Sequence, residues 1–325
     1  MAKILVTRKI PGNAVDKLRE KHEVIESTFN RPLTPQEIME MGKDCEAILT
    51  LLTDRWTGEY MDEFPKLKIL SNYAVGFDNI DVPAATKRGI MVCNTPSVEV
   101  NEAVAEFAWS LILSLSRRVV EADEFARKGA YHGWEPDMFL GRDVYGKTLG
   151  IVGLGRIGSM VARRAHGFNM RVVYNSKTKE RRNEGTKEQL GEYMELEQLL
   201  EESDYITLHV PLNDETRHLI NAEKLELMKP TAYLINTARG AIVDEHALVE
   251  ALHTGKIAGA ALDVHENEPQ MNPELMQMEN VILTPHIASA TVEVREKMGE
   301  QAVSAVLAAL SGGKPENLVN PEVLE

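Results

Sequence analysis

Apolar residues recur along this chain in short runs, each followed by a polar or glycine-marked turn and then by helical spacing. Lys3–Thr7 reads as a strand, Ala14–Lys21 as a helix and Glu23–Glu26 as a strand. Thr34, Pro35 and Glu37 predict a capping box with proline at the first helical position, opening a short helix to Met41. The apolar runs Ala47–Leu52, Leu67–Tyr73 and Ile90–Cys93 follow, separated by helical or Gly/Pro-marked segments. Glu99–Val119 reads as one long helix, apolar at Val100, Val104, Phe107, Ala108, Leu111, Leu115 and Val119.

After a loop from Gly129 to Gly146 a second alternating series begins. Its predicted strands are Leu149–Val152, Arg171–Tyr174, Tyr205–Val210, Ala232–Asn236, Ala258–Asp263 and Val281–Leu283. Its helices include Leu196–Glu202, Glu223–Met228 and His246–His253, the last with Asp244 as N-cap. A final helix covers about Val292–Leu310 and stops at Gly312-Gly313. Alternation at this spacing predicts an α/β protein of two doubly wound parallel-sheet lobes, each sheet covered by helices.

Residues 148–158 read TLGIVGLGRIG, an apolar strand running into Gly153-x-Gly155-x-x-Gly158 and then a helix. Gly153 suits a tight turn, Gly155 lets backbone approach a pyrophosphate, and Gly158 lets the helix pack on its strand. The N–H groups that open this helix offer a positive dipole end to an anion. Among 22 glycines a bare match arises by chance; one flanked by strand, helix and second strand rarely does.

The length of 325 residues fits two domains of ordinary size, and 43% hydrophobic with 26% charged residues suits a soluble globular chain. A net charge of −14 argues against nucleic acid as a partner, but not against a small anion met by one or two arginines. Cys45 and Cys93 sit in apolar strand-like runs, where buried free thiols are the expectation. The N-terminal MAKILVTRK begins a strand, and no apolar run is long enough for a signal peptide or membrane span. A reducing cytoplasm is the default, with no membrane and no metal expected.

Ligands of an open parallel sheet bind outside the carboxyl ends of its strands. In the second lobe those ends carry the glycine turn, then Asn175-Ser176-Lys177, Val210-Pro211, Thr237-Ala238-Arg239-Gly240, Asp263 through Glu268, and Pro285-His286. Each residue alone has a plainer role: Arg239 as a strand-end cap, Glu268 as a loop acid, His286 as a structural histidine, Asp263 as a turn former. Their joint placement on one rim favours chemistry. Reducing a 2-oxo acid needs a cation for carboxylate and carbonyl, which an arginine fork supplies. It needs a proton donor for the developing alkoxide, which histidine supplies, and gains from a carboxylate that orients that histidine and helps it hold the proton.

These residues resemble the D-isomer-specific 2-hydroxyacid dehydrogenases, and within them the glyoxylate/hydroxypyruvate reductases. The likeness covers essentially the whole chain. It rests on NYAVGFDNID (72–81), GKTLGIVGLGRIG (146–158), LHVPLNDETRHLIN (208–221), LINTARGAIVDEHALVEAL (234–252), GAALDVHENEP (259–269) and NVILTPHIASAT (280–291). The resemblance implies that Arg239 binds the 2-oxo acid, that His286 is the acid/base with Glu268 as partner, and that Asp263 holds the nicotinamide carboxamide. It gives the backbone amides of Val75 and Gly76 the substrate carboxylate, with Leu52 beside them. Arg156, Ile157, Gly158 and Ser159 would cradle the pyrophosphate, with Val210, Pro211, Thr237, Ala238, His286 and Ala288 completing the cofactor set. It further implies a Rossmann cofactor domain, residues 100–287, inserted in a flavodoxin-like substrate domain of residues 1–99 and 288–325, and a homodimer built on the cofactor domains. Trp134 matches a position that can reach a partner's active site, although a buried anchor for its own loop is an equal reading.

Alternatives remain open at this level. A 3-phosphoglycerate dehydrogenase without a regulatory domain belongs to the same class, and a dinucleotide-sensing corepressor-like protein to another. Formate dehydrogenase is disfavoured, because that branch carries Gln where this chain has Glu268. The cofactor is NADPH or NADH. NAD-specific folds of this kind place an acid at the end of the second strand, where this chain reads Asn175-Ser176-Lys177-Thr178-Lys179. Nothing at Asn175 repels a 2′-phosphate, Ser176 and Thr178 can donate to it, and Lys177 or Lys179 can supply charge. The expectation is a preference for NADPH, while an ordinary polar loop would accept either.

Overall fold

In a computed structural model, which describes residues 1–177 and 190–325, the chain divides into two units, Met1–Val100 with Ala290–Glu325 and Asn101–Ser289. The first unit begins β1 (Lys3–Val6), α1 (Asp16–Arg19), β2 (Glu23–Glu26), α2 (Pro35–Gly42), β3 (Ala47–Thr50), α3 (Gly58–Met61), β4 (Ile69–Asn72), α4 (Val82–Lys87) and β5 (Met91–Cys93). The chain crosses to the second unit within α5 (Val98–Ser116) and continues through α6 (Val119–Arg127), β6 (Thr148–Val152), α7 (Arg156–Ala165) and β7 (Arg171–Asn175). Then come β8 (Glu192–Tyr193), α8 (Leu196–Glu202), β9 (Tyr205–Leu208), α9 (Ala222–Glu226), β10 (Tyr233–Asn236), α10 (Glu245–His253), β11 (Gly259–Leu262) and β12 (Val281–Leu283). Back in the first unit, α11 (Val292–Leu310) lies against β3, β4 and β5.

Both sheets are parallel. The first runs β2-β1-β3-β4-β5 and the second β12-β11-β10-β9-β6-β7-β8. These are the flavodoxin-like and Rossmann strand orders, with the reversal of winding at β1/β3 and at β6/β9. Every residue of β3, β4, β9, β10 and β11 is buried, as a sheet covered on both faces requires. Alternate residues feed opposite cores. Ile206, Leu208 and Leu234 join Leu199, Leu225 and Leu248 on one face, while Tyr205, Tyr233 and Ile235 join Ala108, Ile112 and Leu149 on the other.

The capping box forms: Thr34 Oγ1 accepts from Glu37 N–H and the Glu37 carboxylate accepts from Thr34 N–H. Asp244 caps α10 through the N–H groups of His246 and Ala247, both at 3.1 Å. Asn320 is fully buried and clamps the C-terminal tail to β5, accepting from Val92 N–H at 2.8 Å and donating to Ile90 O at 2.9 Å.

The long helix expected over Glu99–Val119 breaks at Arg117–Arg118, where Arg118 takes a left-handed φ of 54°. The cause is remote in sequence. Arg142 N–H donates to Ser116 O at 2.8 Å, and Gly141 lies so close that any Cβ there would collide with that carbonyl. With its terminal carbonyl taken by another segment, the helix stops, and Val119 becomes an exposed residue of α6. Several strands also end earlier than their apolar runs, and Cys45 lies in the turn before β3 rather than in a strand. Both cysteines are free and buried; burial pushes the Cys45 thiol up to about 11 and the Cys93 thiol up to about 12. Among the described residues no helix is long and apolar enough to cross a membrane.

Candidate active site

The glycine turn lies at the switch point of the second sheet. Gly153 has φ 102°, open to glycine alone, and a Cβ there would lie 2.7 Å from His209 O and 2.9 Å from Val210 Cγ1. At Gly158 a Cβ would collide with the Gly153 carbonyl, so only glycine lets α7 close on β6. Gly155 faces open space: among the described residues nothing lies within 4 Å of where its Cβ would be. It is the N-cap of α7, and no side chain of the described residues caps that helix. Ser159 N–H donates to Gly155 O at 3.0 Å, which leaves the N–H groups of Arg156, Ile157 and Gly158 to face an anion. Beside the turn, desolvation pushes the His209 imidazole down to about 3, so it is neutral near pH 7; its Nε2 lies 2.9 Å from Thr207 Oγ1. These residues fit a dinucleotide pyrophosphate. Thr237, at the end of β10, adds a buried Oγ1 with no partner among the described residues.

Along the same rim, one carboxylate organises the loop after β12. Asp263 is fully buried, and its Oδ1 accepts from Thr284 Oγ1 at 2.7 Å and Ile287 N–H at 2.8 Å while Oδ2 accepts from Ala288 N–H at 2.8 Å. A carboxylate has about four lone-pair sites, so Oδ2 retains capacity for one further donor. His286 holds a left-handed φ of 54°, sustained by its own N–H, which donates to Asp263 O at 2.8 Å. Its side chain meets Glu268, with Nδ1 2.9 Å from Oε2. A carboxylate only accepts, so Nδ1 carries hydrogen and Nε2 is the nitrogen left for chemistry.

Burial alone would raise the Glu268 carboxyl, but the hydrogen bond and charge of His286, with the N–H and charge of His265, hold it below the ordinary carboxylate range. His265 N–H donates to Glu268 Oε1 at 3.0 Å, and its ring Nε2 donates to Thr284 O at 3.0 Å. Arg239 lies on the turn after β10, where Asn236 Nδ2 donates to Arg239 O at 2.9 Å and Arg239 Nη1 to Ala238 O at 2.8 Å. Gly240 lets that turn lie on the 263–268 loop, since a Cβ there would collide with the His265 main chain. A rim that joins a guanidinium, an oriented imidazole and a dinucleotide-type turn can carry proton-coupled hydride transfer to an anionic carbonyl compound.

In the first unit, Leu52 follows β3, and Val75 and Gly76, both half-buried, follow β4. Each is at the carboxyl edge of its own sheet.

The family model of the D-isomer-specific 2-hydroxyacid dehydrogenase NAD-binding domain matches residues 109–288. A glyoxylate reductase of Thermococcus gammatolerans is 50% identical over 327 residues, covering 99% of this chain and 97% of that protein. The chain belongs to the D-isomer-specific 2-hydroxyacid dehydrogenase family. A Thermus thermophilus protein of known structure superposes with TM-score 0.90 at 44% identity, covering 98% of this chain and 99% of that one. An NADPH-dependent glyoxylate/hydroxypyruvate reductase of Sinorhizobium meliloti, solved with NADP and malonate, superposes with TM-score 0.86 at 35% identity, covering 99% and 97%.

As in other 2-hydroxyacid dehydrogenases, a nicotinamide dinucleotide is the cofactor. Asn175 Nδ2 donates to Met194 O at 2.9 Å, so this side chain fastens the end of β7 to the chain beyond β8. Ser176 is half-buried and Lys177 pairs with Glu215 on the surface. Thr178 and Lys179 lie outside the described residues. Val210 packs against the glycine turn, and Thr216 Oγ1 donates to Pro211 O at 2.6 Å. Trp134 is 82% exposed, which excludes a buried anchor for its own loop. Sequence reasoning misses His265, Thr284 and the His218–Glu266 pair, whose atoms lie 2.6 Å apart. Their importance comes from contacts between loops, for which the local sequence carries no signal.

Proposed function

We propose that the protein is an NAD(P)H-dependent reductase of small 2-oxo acids, glyoxylate and hydroxypyruvate first, giving the D-hydroxy acid where the product is chiral. The observation that carries this is the His286–Glu268 pair, 2.9 Å apart on the rim that also bears the glycine turn. A bound nicotinamide supplies the hydride. Arg239 grips the substrate carboxylate and polarises its carbonyl, and the amides of Val75 and Gly76 take the carboxylate. His286 Nε2 gives its proton to the carbonyl oxygen as negative charge develops there, and Glu268 stabilises the cation before transfer. Asp263 holds the 284–288 loop and offers its remaining acceptor site to the carboxamide. Loss of NADPH absorbance with glyoxylate, hydroxypyruvate and phosphohydroxypyruvate tests the reading. Cofactor binding with no turnover would mean a dinucleotide-sensing protein, and preference for the phosphorylated acid a 3-phosphoglycerate dehydrogenase.

NADPH is the preferred cofactor on this reading, because the end of β7 carries Asn175, Ser176 and Lys177 and no acid. In Asn175→Asp the ratio of kcat/KM for NADPH to that for NADH should fall about tenfold or more, since a carboxylate there repels the 2′-phosphate. Using the ratio cancels the effect of the lost bond to Met194. A wild type that prefers NADH, or an unmoved ratio, sinks the assignment.

The protein is a homodimer, on the support of Val119, Val120, Tyr131, Trp134, Leu140 and Tyr145. These exposed apolar residues all fall within one stretch of the second unit. Light scattering should give twice the chain mass of 36.3 kDa; a single-chain mass at micromolar concentration refutes it. Two free thiols suit the reducing cytoplasm as its place of work.

A further inference from the structure

Three consecutive peptide groups in the loop after β4 are held by their carbonyls. Thr95 N–H donates to Ala74 O at 2.8 Å, Asn94 Nδ2 to Val75 O at 2.7 Å and Asn72 Nδ2 to Gly76 O at 2.8 Å. In a trans peptide the N–H points opposite to the C=O. Each of these bonds therefore aims the next residue's N–H, that of Val75, Gly76 or Phe77, away from the group that holds the plane. Among the described residues these three N–H groups donate no hydrogen bond. Successive backbone N–H groups without protein acceptors form the kind of concavity that receives an anion.

The two asparagines are placed for this and little else. Asn94 follows β5, and its main chain is fastened by Asn317, which donates from its amide to Asn94 O and accepts from Asn94 N–H. The path of the chain at 94 thus does not depend on its side chain, which among the described residues bonds to Val75 O alone. Asn72 is fully buried and spends its second hydrogen on Asn79 Oδ1 at 3.1 Å. Asn79 Nδ2 in turn donates to Leu51 O and Asp54 O, both at 3.0 Å, and so ties in the loop that carries Leu52.

We propose that Asn94, supported by Asn72, is a positioning residue for recognition of the substrate carboxylate. It acts through the Val75–Gly76 peptide and does not touch the substrate. The inference rests on the reductase reading above, in which the Val75 and Gly76 amides receive the carboxylate. Removing the Asn94 donor lets that peptide plane rotate, and the Gly76 N–H loses its aim. Binding of a carboxylate suffers; binding of the cofactor does not.

The test uses the full-length protein with Asn94→Ala and the near-isosteric Asn94→Asp, which keeps the shape but cannot donate. Glyoxylate, its neutral methyl ester and the inhibitor oxalate are the probes. In both variants KM for glyoxylate and Ki for oxalate should rise about ten- to a hundredfold. The ester's kcat/KM and the Kd for NADPH should change by less than about twofold. Equal losses for acid and ester, an unchanged glyoxylate KM, or failure of both variants to fold would overturn the proposal, since each makes Asn94 either idle or merely structural. A wild type that does not turn over glyoxylate, or does not favour it over the ester, would instead overturn the reading beneath.

Discussion

His286→Ala is expected to lower reduction of glyoxylate about 10²–10⁴-fold while leaving the Kd for NADPH close to that of the wild type. Nδ1 is committed to Glu268, so Nε2 is the donor that is lost, and no other imidazole is oriented by Glu268 among the described residues. The main chain at 286 is held from Asp263 and Thr284, so the loop should survive the change. His286→Asn is the cleaner companion, because asparagine tolerates the left-handed backbone and cannot carry the proton. Near wild-type turnover in either variant would end the assignment. Glu268→Gln tests the other half of the pair. Its neutral amide carries no charge to stabilise the imidazolium before transfer, so kcat/KM should fall, and the acid limb set by the Glu268 carboxyl should disappear from the pH profile. Glu268 is held below the ordinary carboxylate range, so in the wild type the pair persists into mild acid and is lost only as pH falls through that depressed value.

Arg239→Lys should raise KM and lower kcat together, with kcat/KM for 2-oxo acids down about 10²-fold or more. Lysine keeps the charge but offers a point where the site calls for two parallel donors, and it cannot reproduce the planar contact to Ala238 O. Carboxylate and carbonyl are then held less well in the ground state and in the transition state alike. Steady-state kinetics with parallel fluorescence titration of NADPH separates the possibilities: a change confined to NADPH affinity would make Arg239 a cofactor residue.

The winding of the fold is legible in the sequence because its signals are local. Gly153, Gly155 and Gly158 announce the strand, turn and helix that the backbone then forms, with close packing at Gly153 and Gly158. Thr34 with Glu37, and Asp244 before α10, announce helix starts in the same way. Apolar runs locate the strands, and parallel-sheet topology then places Arg239, Glu268 and His286 beyond the ends of β10, β11 and β12. The break at Arg118 is not legible, because Arg142 and Gly141 cause it from more than twenty positions away. The work of Asp263 as the keystone of the 284–288 loop is hidden for the same reason: its partners are set by tertiary closure and not by neighbours in the chain. Asn72 and Asn94 look like ordinary strand-end polar residues until the carbonyls they hold are seen.

The two thiols have a practical consequence. The chain contains two cysteines, and Cys45 and Cys93 both belong to the first unit, each fully buried and pushed up in pKa by that burial. A thiol reagent at neutral pH therefore finds nothing to attack until that unit opens, and the rate of alkylation becomes a clock for its opening alone. The second unit has no thiol, so a single cysteine placed at an exposed position there, such as 250, is the one reactive thiol on the folded protein. A fluorophore or spin label attached at that point would report on the cofactor-binding unit without first removing either native cysteine.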